Sequence, residues 1–219
     1  IMYFNYYGLK EKPFSLSADP KYLFYSRSHK EALAQMIYAA SEDSGFFILT
    51  GEVGTGKTMM INAVIERLPK DYRVAKIYHT ALNPKGLIQN ICKEFGLDYL
   101  NIPISQLILK IQDFLKWTHN AGEKTLLILD EAQDLNPETL EEVRLLSNFE
   151  SNHKKILQIF LVGQPELETK LARENLRPFR ERISLRFKLR KLAREETYRY
   201  VAHRLAIAGR QTNKAIFTK

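Results

Sequence analysis

Residues 51–58 read GEVGTGKT, a complete match to G-x-x-x-x-G-K-[ST]. The context is as restrictive as the string. An apolar run, FFILT (46–50), leads into it, and a helical stretch ending near Pro69 follows. A strand that turns through glycines into a helix commits the chain to an α/β fold, with the turn at the carboxyl edge of a parallel sheet. Gly54 and Gly56 let the backbone curl so that its N–H groups point at an anion. The expected nucleotide-binding set is Gly51, Glu52, Val53, Gly54, Thr55, Gly56, Lys57, Thr58 and Met59. Lys57 would reach the β- and γ-phosphates, and the Thr58 hydroxyl would ligate Mg2+.

Strand and helix patterns alternate along the rest of the chain, with no repeat, low-complexity tract or Gly/Ser linker. A Pro- and aromatic-rich lead (3–25) precedes a helix from about Ser28 to Glu42. Strands are expected at 46–50, 72–79, 125–130, 156–162 and 183–189. Asn83 with Pro84, and Asn136 with Pro137, each supply an N-cap and a first helical residue, predicting helices to Gly96 and to about Asn148. Further helices are expected from about Ile104 to Asn120 and from Glu195 to Gly209. Five strands separated by helices predict a parallel sheet covered on both faces.

LLILDEAQDL (126–135) adds the second half of a nucleotide site. Its apolar strand delivers Asp130 to the carboxyl edge, where it can hold Mg2+, and places Glu131 to polarise an attacking water. An acidic strand terminus capping the next segment is the alternative, and the phosphate loop at the expected distance upstream weighs against it. The string DEAQ suggests a helicase, yet helicases of that kind carry their catalytic arginine on a second core, and 219 residues hold one. No N-K-x-D string is present, so adenine is preferred to guanine. Gln164, after the fourth strand, would sit beside the γ-phosphate and orient water; an ordinary strand-to-helix turn explains it equally well. Arg177, Arg180, Arg182 and Arg186 crowd the start of the fifth strand. Arg182 is the first choice for an arginine finger acting on a neighbouring subunit, with Arg180 and Arg186 in reserve; solvated surface arginines are the plainer reading.

Charge is unevenly placed. Residues 177–219 hold 13 Lys and Arg against three acidic residues, whereas 1–176 hold 20 against 22, so the net +8 resides wholly in the last segment. Such a block points to nucleic acid, an anionic surface or a subunit contact. Hydrophobic residues make up 45%, enough for a buried core, which excludes wholesale disorder. A single cysteine, Cys92, excludes an internal disulfide framework, fits a reducing compartment and is expected in the core. No apolar run approaches the ~20 residues of a membrane span. The lead IMYFNYYGLKEKPF lacks the apolar region of a signal peptide, so a cytosolic chain is expected. His79, His119, His153 and His203 lack metal-ligand spacing. Trp117 reads as helix packing or an interface residue, and Asp134 as a helix-entry residue that could approach the metal.

Taken together, YYGLKEKPFSLSADPKYLFYSRSHKEAL, GEVGTGKT, LLILDEAQDL, EEVRLLSNFE, LQIFLVGQPEL and LRPFRERISLR resemble the general secretion pathway protein A family of AAA+ ATPases over nearly the whole chain. The resemblance implies a P-loop NTPase core with its five-stranded parallel sheet ordered 5-1-4-3-2. It also implies Mg2+-dependent ATP hydrolysis between subunits of a homo-oligomer at the inner face of the bacterial inner membrane. A GspB-type inner-membrane partner in type II secretion is implied too; related ATPases serve type IV pili, and others assist transposition. By position, 51–58 become the phosphate loop, Asp130 and Glu131 the Walker B pair, Gln164 sensor 1 and Arg182 the finger. Tyr25, Arg27 or His29 would flank the adenine, although His29 serves equally as an exposed first-turn residue. The implied division is a lead and first helix packed on the core (1–45), the ATPase core (46–192) and the start of a helical lid (193–219). No G-x-P-R sensor 2 string is present, and NKAIFTK (213–219) reads as the beginning of a truncated lid. Two alternatives stand beside the ATPase: an ATP-gated DNA-binding regulator of the transposition type, motivated by the basic block, and a binding-only scaffold with Glu131 idle.

Overall fold

The computed structural model describes residues 4, 7–14, 20–22, 24–42, 45–78, 82–151 and 154–209. His79, His153 and the 213–219 segment lie outside them. In chain order the main elements are α1 (Arg27–Ser41), β1 (Phe46–Gly51), α2 (Lys57–Ile65), β2 (Tyr72–Ile77), α3 (Pro84–Glu94), α4 (Ile104–Asn120), β3 (Lys124–Leu129), α5 (Pro137–Leu146), β4 (Gln158–Gly163), α6 (Glu166–Leu171), α7 (Arg177–Arg180), β5 (Ile183–Leu189) and α8 (Arg194–Ile207).

Every pairing among the five strands is parallel, in the order β2-β3-β4-β1-β5, which is 5-1-4-3-2 read from the other edge. The period-2 alternation of a pleated strand sorts the apolar side chains into two cores. Phe46, Ile48, Leu127, Leu129, Ile159 and Leu161 face one cluster, shared with α3, α4 and α5. Phe47, Leu49, Leu126, Ile128, Phe160 and Val162 face the other, with α1 and α2. β1 and β4 are buried at every position, which is why both read as unbroken apolar runs rather than alternations. Cys92 is fully buried on α3, as expected.

The two Asn-Pro signals work as caps. Asn83 Oδ1 accepts from the Gly86 N–H at 2.8 Å, and Asn136 Oδ1 from the Thr139 N–H at 2.7 Å. Asn136→Ala is therefore expected to cost about 1 kcal/mol, read as a lower urea midpoint at unchanged slope.

Some boundaries differ from the sequence reading. Ile156 and Leu157 are buried but precede β4, because a short antiparallel ladder (Glu150–Ser151 with Lys154–Lys155) intervenes first. Asp130 likewise stands just after β3 rather than inside it. Trp117 is 61% exposed on α4 with its ring centroid 6.4 Å from that of Phe114 one turn earlier, which agrees with packing on its own helix and leaves most of its surface open.

Packing divides the chain into two units, Ser28–Arg190 and the terminal segments Ile1–Arg27 with Lys191–Lys219. Helix α1 from Ser28 thus counts with the sheet rather than with the lead, and the lead shares a unit with the segment read as lid. Within the terminal unit, Leu9, Leu205 and Ala208 form a small core. The buried Arg204 guanidinium lies 4.5 Å from the Tyr22 ring centroid and 5.6 Å from that of Tyr200.

Candidate functional site

β1, β3 and β4 all end at one edge of the parallel sheet, so the turns after Gly51, Leu129 and Gly163 are neighbours. Gly54 and Gly56 take φ of 78° and 90°, values that only glycine adopts without strain, and Gly56 caps α2. A Cβ at Gly56 would also lie 3.2 Å from His29 Nε2. Lys57, at the first turn of α2, is buried, and its Nζ donates to Gly51 O (2.8 Å) and Glu52 O (3.2 Å). Thr55 Oγ1 donates to Glu52 O at 2.8 Å, closing the loop on itself. Glu52, Val53 and Gly54 form its exposed rim, with Met59 partly buried behind.

Thr58 Oγ1 donates to Asp130 Oδ2 at 3.0 Å, joining two motifs 72 residues apart. Asp130 is 3% exposed. Burial pushes its carboxyl above the usual carboxylate range, opposed by the hydrogen bonds from Thr58 and from the Glu131 N–H, the latter 3.0 Å from Oδ1. Lys76 on β2 also favours the ionised form, and its Nζ donates to Asn62 Oδ1 at 2.6 Å. Among the described residues no group of three or more His, Cys, Asp or Glu side chains could hold a metal. What the site offers instead is a hydroxyl and a buried carboxylate side by side. These are hard oxygen donors, suited to a magnesium ion that keeps water and shares phosphate oxygens.

Glu131 adopts a left-handed backbone (φ 54°, ψ 40°) before the short turn Ala132–Asp134. Its Oε2 accepts from Gln133 Nε2 at 2.9 Å and from Gln164 Nε2 at 3.4 Å. The Gln164 N–H in turn donates to Gln133 Oε1 at 3.0 Å. Lys170 Nζ donates to the carbonyls of Gln133 and Leu135, pinning that turn, and burial lowers the Lys170 ammonium below its ordinary value. The structure thus brings Gly51 through Thr58, Asp130, Glu131 and Gln164 to one edge.

Three features escaped the sequence reading. Gln133 stands in LLILDEAQDL, where the sequence assigns roles to Asp130 and Glu131 alone. Lys170 carries no signal beyond an isolated lysine on a short helix. His29, read as an exposed or adenine-flanking residue, is buried against the phosphate loop: its Nε2 is 2.9 Å from Thr55 O, and because a carbonyl only accepts, Nε2 carries the proton. Tyr25 and Arg27, its companions in that expectation, belong to the terminal unit, where the Arg27 N–H donates to Glu196 Oε1.

Arg182 lies at the opposite edge. β5 runs parallel to β1 from Ile183 beside Phe46 to Leu189 beside Gly51. Arg182, before β5, is therefore roughly 20 Å from its own phosphate loop, at about 3.3 Å per residue. Its Nη1 donates to Arg144 O (3.4 Å), Ser147 Oγ (3.3 Å) and Asn148 Oδ1 at the end of α5. Arg180 donates to Ala172 O, while Arg186 and Arg177 are paired with Glu168 and Glu181.

Residues 40–171 match the AAA domain family. General secretion pathway protein A of Aeromonas hydrophila is 42% identical over 209 residues, a match covering 95% of this chain and 38% of that protein. The chain thus spans well under half the length of this relative. The ORC2 protein of Aeropyrum pernix, solved in ADPNP–ADP complexes, superposes with a TM-score of 0.66 at 18% identity, over 84% of this chain and 52% of that one. Cdc6p from Pyrobaculum aerophilum gives 0.67 at 17% identity, over 87% and 52%. At such identities these structures speak for the fold alone, a P-loop NTPase sheet flanked by helices. With more than half of its residues matched and its sheet in the expected order, the chain belongs to the AAA domain family.

Proposed function

We propose that this chain binds ATP with Mg2+ at the carboxyl edge of its sheet and hydrolyses it. The observation carrying this reading is the 3.0 Å contact between Thr58 and Asp130, with Glu131 next in sequence. A buried carboxylate with no ion-pair partner among the described residues is costly unless a cation shares it, and a hydroxyl beside it supplies the second oxygen. Magnesium, when bound, neutralises charge developing on the β- and γ-phosphates.

The protein's own groups do the rest. Loop N–H groups and the α2 N-terminus cradle phosphate oxygens, and Lys57 exchanges its loop carbonyls for phosphate. Glu131 accepts a proton from the attacking water, and Gln164 orients that water. Arg182 reaches a neighbour's nucleotide across a head-to-tail interface between copies of the chain. From the similarity to general secretion pathway protein A, the work coupled to ATP is assembly of a type II secretion machine or a related pilus system. It is done at the cytoplasmic face of the inner membrane with a GspB-type partner. No described helix is long and apolar enough to cross a membrane.

ATP-gated DNA binding draws less support, because the basic block is partly committed within the chain. Arg204 is buried, and Arg177 and Arg186 are paired with carboxylates. That reading requires affinity falling with salt at a log–log slope near −0.9 per phosphate contact.

Calorimetric titration tests the site. Lys57→Ala is expected to abolish ATP binding, whereas Asp130→Ala should weaken Mg2+–ATP strongly and magnesium-free ATP little. Equal affinities in both variants and the wild type would overturn the reading.

A further inference from the structure

We propose that Gln133 is the positioning residue that holds the Glu131 carboxylate in register with Gln164; this rests on the reading of Glu131 as the general base. One primary amide faces both partners. Its Nε2 donates to Glu131 Oε2 at 2.9 Å, and its Oε1 accepts the Gln164 N–H at 3.0 Å. Because one end of the amide only donates and the other only accepts, the two contacts fix its orientation, and a longer contact from Nε2 to Asp134 Oδ2 at 3.4 Å agrees with it.

The surroundings hold the amide in place. Lys170 anchors the Gln133 and Leu135 carbonyls, so the backbone beneath the side chain is fixed from α6. β4 ends in Gly163, where a Cβ would lie 2.8 Å from Gln133 Oε1 and 3.3 Å from the Gln133 nitrogen. A side chain there would push the amide off its partners. Glu131 itself stands on a left-handed backbone that few non-glycine residues adopt, and its Oε2 accepts from both the Gln133 and the Gln164 amide. Gln133 thus couples the turn after β4 to the group that would take the proton, with no contact to the reacting atoms required of it.

Gln133→Ala should lower kcat for ATP about 100-fold, the scale of a reacting group displaced by an ångström, with nucleotide Kd and KM unchanged. Amide hydrogen exchange supplies a readout independent of turnover: the Gln164 N–H, protected in the wild type, should exchange freely in Gln133→Ala. Gln133→Glu separates the two contacts. Its carboxylate still accepts the Gln164 N–H, so protection persists, but it cannot donate to Glu131, so kcat falls as in the alanine variant. Gly163→Ala should reproduce the kcat loss, and the double variant with Gln133→Ala should be no worse than either alone. Unchanged protection in Gln133→Ala, or wild-type kcat in Gln133→Glu, overturns the proposal. The Glu131→Gln control keeps the two readings apart. If it abolishes turnover while the Gln133 variants keep theirs, only this inference falls. If it too leaves turnover intact, the general-base reading falls with it.

Discussion

Glu131→Gln is expected to bind ATP as tightly as the wild type and to turn it over about 10²- to 10⁴-fold more slowly, the usual worth of a positioned general base. The substitution is isosteric, so what it removes is basicity. Glu131 follows Asp130, whose carboxylate is already engaged by the Thr58 hydroxyl and the Glu131 N–H, so Asp130 is poorly placed to take over as base. Gln164 and Gln133 present amides to Glu131 and cannot accept a proton either. With all three neighbours disqualified, single-turnover measurements should find ATP retained and uncleaved in this variant. Melting should be unchanged, since a part-buried glutamine at 131 can still accept the Gln133 amide through its Oε1. Undiminished turnover would remove Glu131 from the chemistry and leave a binding-only protein.

Where local strings carry their own geometry, the sequence was sufficient. GEVGTGKT and LLILDEAQDL each combine a strand with the turn at its end, and the structure joins the two turns through Thr58 and Asp130. The burial of β1, β3 and β4 on both faces was legible too, because each reads as an unbroken apolar run. Sheet order was not, since periodicity says nothing about which strands are neighbours; it came from the family resemblance. Boundaries failed where burial and strand pairing part company: Ile156 and Leu157 are as apolar as the strand they precede, so no local contrast marks the start of β4 at Gln158. His29, Gln133 and Lys170 were illegible for a different reason. Each acts through a hydrogen bond to a group 26 to 37 residues away, and nothing in a neighbouring residue encodes such a pairing. Arg182 is intermediate, because the sequence shows a crowd of arginines but not that they stand at the edge opposite the phosphate loop.

That placement leads to the second large effect. An arginine roughly 20 Å from its own site, at about 3.3 Å per strand residue, cannot touch the nucleotide its own chain binds. If Arg182 contributes to hydrolysis, it does so on a neighbour. Among the candidates it is also favourably held. Arg186 and Arg177 are neutralised by Glu168 and Glu181, whereas the described hydrogen bonds of Arg182 go through Nη1 to uncharged groups at the end of α5. Phe179 packs against Phe46 with ring centroids 4.4 Å apart and the rings tilted by 36°, holding α7 and the turn that carries Arg182 against the base of β1. Arg182→Ala should therefore keep ATP affinity and lose turnover by roughly 10³- to 10⁵-fold, the range found for arginine fingers. Mixing supplies the decisive measurement. An Arg182→Ala subunit retains Glu131, and a Glu131→Gln neighbour retains Arg182, so each such junction rebuilds one complete site. In a head-to-tail ring assembled at random from equal amounts, about one site in four is complete, and activity should return to that fraction from two inactive proteins. Arg180→Ala and Arg186→Ala should instead keep turnover on their own, so that mixing them with Glu131→Gln only dilutes it. Absence of recovery with Arg182→Ala at concentrations where the chains associate would exclude it as the finger and leave Arg180, whose Nη1 is also held by a backbone carbonyl, as the next residue to test.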